Sequence, residues 1–148
     1  MQYLLILLVV ITALGLPVQD ALNAQLRSAV KSPILGACIS LLAGSCLLGV
    51  AAALGILGRG QLRDLISTPW WVWAGGGLLG AAAVVAALVA IPKSGAALVI
   101  TATVLGQLIA ALVLDHFGWL GVPRTPINPW RIAGAIGLFA SAVLMQHK

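Results

Sequence analysis

The chain has 148 residues, of which 61% are hydrophobic and 7% charged, with eight basic residues against three acidic ones. Ordinary soluble domains are about 25% charged, and so few ionic side chains cannot coat a water-soluble globule, so the chain belongs in a bilayer. The formal charge of +5 does not indicate nucleic-acid binding, because the basic residues stand singly between apolar runs and form no stripe.

A membrane helix takes about 20 apolar residues, and the uncharged stretches between charges predict five: 3–29, 33–57, 69–91, 94–114 and 130–146, forming one all-α integral membrane domain over 1–148. The first stretch has no Lys or Arg before it and no small-residue cleavage pattern after it, so it reads as a retained helix rather than a secretory signal. Pro17 is placed to kink it. Ser32 and Pro33 supply the N-cap and first-turn chemistry of the second helix. Ser67, Thr68 and Pro69 mark the start of the third and Pro92 its end, while Asn128, Pro129 and Trp130 precede the fifth. Cys38 and Cys46 share one apolar run far from any His and read as small buried hydrophobes. Small residues recur every fourth position, as in Gly36, Ser40 and Gly44 or Ala102, Gly106 and Ala110. Such spacing suits backbone-to-backbone packing in a bundle, although an Ala- and Gly-rich composition also produces it by chance.

Five spans put the termini on opposite sides of the membrane and divide the basic residues evenly. Arg59, Arg63, Arg124 and Arg131 fall on the N-terminal side, and Arg27, Lys31, Lys93 and Lys148 on the other. The tie leaves the positive-inside rule without a preferred orientation. Tyr3, Trp70, Trp71, Phe117, Trp119 and Trp130 all map to the N-terminal side, so two copies inserted in opposite directions would give each interface one aromatic belt.

Polar side chains at depth are costly and normally face protein or water. Gln19, Asn23 and Arg27 are spaced by four with Asp20 beside them, so they share one broad face of the first helix. That face is either a polar wall of a substrate cavity, with Asp20 as the acid placed to hold a cation, or the interfacial end of the helix. Gln107, preceded at helical spacing by Thr103, either meets substrate or bonds a neighbouring helix; Trp73, beside Gly75 to Gly77, either lines a cavity or anchors at the interface. The candidate substrate-binding set is thus Gln19, Asp20, Asn23, Trp73, Thr103 and Gln107. Asp115 and His116 have no third ligand or nucleophile at useful spacing and read as loop-ordering residues. Phosphate loops, nucleophile elbows and metal-ligand clusters are missing from the sequence, so neither an enzyme nor a cofactor or metal site is expected.

The order of these landmarks resembles the bacterial YdcZ-type family over nearly the whole chain: Gln19 and Asn23 after Gly15 and Pro17; Pro69, Trp70 and Trp71 followed by Gly75 to Gly77 and Gly80; Ile91 through Ala96; Gly106 with Gln107; and Asp115 through Gly118. The resemblance implies an inner-membrane, multi-pass protein of the drug/metabolite transporter superfamily, related to the small multidrug resistance exporters, with a four-helix transporter-like core plus one C-terminal helix. It also implies dimers, antiparallel ones included. The small multidrug exporters bind substrate and protons through a Glu in the first helix. No Glu occurs in this chain, and Asp20 is a displaced substitute at best. The function expected is small-molecule transport by alternating access as a dimer; the alternative is a non-transporting membrane protein, such as a lipid-binding, scaffolding or regulatory subunit.

Overall fold

A computed structural model describes residues 2–56, 58 and 64–144. The apolar runs form helices α1 (Gln2–Ala13), α2 (Leu16–Val30), α3 (Pro33–Ala53), the one-turn α4 (Asp64–Ser67), α5 (Trp70–Ser94), α6 (Ala96–Phe117) and α7 (Pro129–Leu144), with a 3-10 turn over Trp119–Gly121. Four helical stretches are long and apolar enough to cross a membrane: Gln2–Val30, Pro33–Ala53, Trp70–Ser94 and Ala96–Phe117. The 16 residues of α7 rise about 24 Å at 1.5 Å per residue, short of the roughly 30 Å of a typical hydrocarbon core. The second helix, expected to reach 57, ends at Ala53, and position 57 itself, the end expected at 146 and the charges of Arg59, Arg63 and Lys148 lie outside the described residues.

The chain divides into two compact units, Met1–Pro92 and Lys93–Lys148. In the first, α1 and α2 are one stretch broken at Leu14 and Gly15. Pro17 has no N–H, so the Ala13 carbonyl loses its helical donor, and the backbone tightens there: Leu14 N–H is shared between the Ile11 carbonyl at 3.2 Å and the Val10 carbonyl at 3.3 Å, and Gly15 N–H turns to the Thr12 carbonyl at 3.1 Å. The kink expected near Pro17 therefore sits two to three residues before it. Lys31 closes α2 in the left-handed region (φ 54°), and Ser32 caps α3 by accepting from Leu35 N–H at 3.2 Å, with Pro33 in the first turn. This tight reversal lays α3 back along α2. Gly36 is buried, and a Cβ there would come 3.2 Å from both Cα and N of Arg27, so the two backbones meet at this point. Cys38 and Cys46, expected inside, are both exposed; the side of α3 that packs inward carries Gly36 and Ala37 instead.

The boundary between the third and fourth helices also differs from the expected one, and the fourth helix runs over Ala96–Phe117 rather than 94–114. Pro92 does not end its helix, because α5 continues to Ser94. In the last turn proline sacrifices a single intrahelical bond, the one its N–H would give to the Leu88 carbonyl, and Gly95 (φ 82°) makes the actual separation from α6.

In the second unit α6 and α7 pack as a hairpin. Gly118 (φ 67°) ends α6 in the left-handed conformation, donating to the Leu114 carbonyl at 2.8 Å. Asn128 caps α7 by accepting from Arg131 N–H at 2.9 Å, and Pro129 follows it. An open cavity of about 360 Å³ between the two helices is lined by apolar residues, among them Leu105, Ile109, Ile132 and Phe139.

Candidate functional site

The polar face of α2 is where the first unit departs furthest from a simple apolar bundle. Asn23 is 5% exposed, the one buried polar residue among those described, and its side chain has no hydrogen-bond partner among them. Its polar atoms still keep a little accessible surface. One turn on, Arg27 is half-buried, and its Nη1 donates to the carbonyl oxygen of Leu88 at 2.8 Å. Leu88 is 1% exposed, the most deeply buried side chain described. Its carbonyl is the oxygen that Pro92, four residues later, leaves without a helical donor. A buried carbonyl without a donor is costly, and a charged side chain from another helix supplies one. Proline and arginine, 65 positions apart, thus form one device joining α2 to α5.

The other sequence candidates fall around this centre or away from it. Asp20 is half-buried on α2, whereas Gln19 is exposed. Trp73 is 55% exposed on α5 and borders a shallow open hollow with Leu65 and Thr68. Thr103 and Gln107 belong to the second unit, both on exposed positions of α6, and the Thr103 hydroxyl donates to its own helix at the Val99 carbonyl, 2.9 Å away. That bond is the internal use open to any helical threonine.

Within the second unit the polar chemistry gathers at the end of α6. Asp115 Oδ2 accepts from Arg131 Nη1 at 3.0 Å, both side chains about 30% exposed, so the ion pair ties the end of α6 to the first turn of α7. The Asp115 carbonyl accepts from Thr125 N–H at 2.7 Å, and His116 Nδ1 accepts from Ile127 N–H at 3.2 Å. Arg124 Nε donates to the His116 carbonyl at 3.1 Å. A lone pair on Nδ1 is required for the Ile127 bond, which places the imidazole proton on Nε2. Phe117 stacks on Trp119 with centroids 4.8 Å apart. Asp115 and His116 therefore order the loop, as expected of them, and no group of three metal-ligating side chains occurs among the described residues.

Sequence reasoning placed Arg27 on the polar face but not in the candidate set. The signal that would have found its partner is Pro92 itself, since a proline inside an apolar helix leaves a donorless carbonyl four residues before it.

Residues 4–144 match the family model described as "Putative inner membrane exporter, YdcZ". The chain is also 34% identical to the inner membrane protein YdcZ of Escherichia coli (strain K12) over 99% of its own length and 97% of that protein's. No solved structure matches it.

Proposed function

Because the chain belongs to the YdcZ family of inner-membrane proteins, we propose that it exports a small molecule across the inner membrane and carries out no enzymatic reaction. The observation that carries the proposal is Asn23, a polar side chain at 5% exposure, in the helical stretch Gln2–Val30 of membrane-spanning length, with no bond to any described residue. A structural amide at that depth is expected to bond a neighbouring helix; an amide held out of water without such a bond has its hydrogen-bonding capacity available to a ligand. Gln19 and Asp20 extend the same helix toward the break at Gly15, and Trp73 is the further candidate of the first unit, while Thr103 and Gln107 are candidates of the second unit by itself. Alternating access operates in a dimer, antiparallel in keeping with the four-to-four division of Lys and Arg.

Solid-supported membrane electrophysiology on the reconstituted protein, across amines, guanidinium compounds and carboxylates, tests the proposal. A substrate-dependent current is expected, and Asn23→Leu should abolish it while leaving the melting temperature unchanged or slightly raised, since the change removes a polar burial cost. A lower melting temperature with an undiminished current would remove Asn23 from the binding wall. Reporter fusions at the C-terminus test the antiparallel arrangement: both orientations are expected, and a single orientation that an added Lys at either end never shifts would exclude it.

A further inference from the structure

The three acids of the chain are Asp20, Asp64 and Asp115. Asp115 is engaged by Arg131, the only ion pair among the described residues. Asp20 lies two turns before Arg27 on the same helix, about 10 Å along the axis, and neither it nor Asp64 pairs with Arg27. Among the described residues, this half-buried guanidinium at the end of a membrane helix therefore has a carbonyl for one of its five N–H donors and no carboxylate for its charge. The position is fixed. Backbone contact with Gly36 holds Arg27 from one side, and the Leu88 carbonyl orients its Nη1 from the other. Asn23, one turn away on the same face, is more than nine-tenths buried, and its amide has no partner among the described residues.

From this arrangement we propose that the first unit binds an oxyanion, a phosphate or carboxylate group, on the uncommitted edge of Arg27, with the Asn23 amide as a second donor. A guanidinium tethered at one nitrogen presents its remaining donors in a fixed plane, which suits two oxygens of one group. Arg27 is three residues from the end of α2, about 4.5 Å along the axis, at the level where anionic headgroups lie and where a dissolved anion enters from water. Basic sites between membrane helices at this depth are suited to anionic headgroups. The site stands whether or not the chain exports a solute.

The test uses the full chain in phosphatidylcholine nanodiscs. Melting temperature is followed as phosphatidylglycerol replaces part of the phosphatidylcholine and, separately, as inorganic phosphate is added at constant ionic strength. A rise is expected in at least one arm. Phosphatidylglycerol alone acting assigns a lipid headgroup, and phosphate also acting assigns a free oxyanion. Arg27→Gln should lose the response, Arg27→Lys should weaken the apparent affinity about tenfold, and Lys31→Gln, altering an exposed cation four residues away, should keep it. A merely structural Arg27 would lower the melting temperature equally in every condition and leave the response intact. The site is overturned by no rise in either arm, by an Arg27→Gln response equal to that of the parent, or by an equal loss in Lys31→Gln. Should Arg27→Gln not fold, Arg27→Lys against Lys31→Gln makes the comparison, and an undiminished Arg27→Lys response overturns it.

Discussion

Restoring an N–H at position 92 should make Arg27 partly dispensable for stability. The hydrogen bond from Arg27 to the Leu88 carbonyl is 2.8 Å long, charge-assisted, and made to the backbone of a residue 1% exposed. Breaking it by Arg27→Met leaves a buried carbonyl without a donor, a loss of about 1–3 kcal/mol, although bonds between membrane helices average only about 0.6 and reach about 1.7 kcal/mol. A cost of about 1.5 kcal/mol is consistent with both. In a Pro92→Ala background the backbone amide of residue 92 can reach the same oxygen, and the cost of Arg27→Met should fall to about half. For a chain of this size 1 kcal/mol moves the melting temperature by roughly 2–4 °C. Arg27→Met should thus lower it by about 3–6 °C in the parent and about half that beside Pro92→Ala. Melting curves of the two single variants and the double variant in one detergent close the cycle. Equal effects of Arg27→Met in both backgrounds, within about 0.3 kcal/mol, would refute the idea that the arginine serves the carbonyl that the proline exposes.

Gly36→Leu should be among the most damaging single changes in the first unit, because its Cβ would press to 3.2 Å on the Arg27 backbone, which cannot swing aside as a side chain would; a loss of about 1–3 kcal/mol is expected by thermal unfolding, with Gly36→Ala milder. In the second unit, Asp115→Asn and Arg131→Gln should each destabilise the α6–α7 hairpin, and their double variant should recover part of the sum, with a coupling near the roughly 1 kcal/mol upper end for a partly exposed pair. Asn128→Ala removes the acceptor for Arg131 N–H and should cost about 0.5–2 kcal/mol, detected as earlier proteolysis of the α6–α7 loop or a lower melting temperature.

Most of the helices were legible because a bilayer makes hydropathy a direct record of position. Charges other than Asp20 stand near helix ends or between helices, and Ser32–Pro33 and Asn128–Pro129 have local chemistry that starts a helix whatever surrounds it. The two interior prolines were harder to interpret. Pro17 and Pro92 mark sequence positions, but their effect lies four residues earlier, at the carbonyls of Ala13 and Leu88, so the break fell at Leu14–Gly15 and the predicted end of α5 came three residues too soon. At the candidate site, Asn23 stood out as an amide in an apolar helix. The contact that fixes Arg27 spans 61 residues and depends on how α2 and α5 pass each other, which periodicity does not encode. Asp115 and His116 were readable as loop-ordering residues from their isolation, whereas the choice of Arg131 over Arg124 as the partner of Asp115 depends on where Asn128 begins α7.

The break between α1 and α2 also bears on membrane thickness. The stretch Gln2–Val30 has 29 residues and, as straight helix, would run about 43 Å, some 13 Å more than the roughly 30 Å hydrocarbon slab it crosses. A rigid rod of that length must tilt as a whole or distort the lipid around it, at a fraction of a kcal/mol per ångström of mismatch. With the joint at Leu14–Gly15, α2 stays locked to α3 while α1, none of whose residues is buried, takes up the excess by changing its own inclination. A change of bilayer thickness is then expected to fall on the inclination of α1 before it shifts Asn23 and Arg27 in depth.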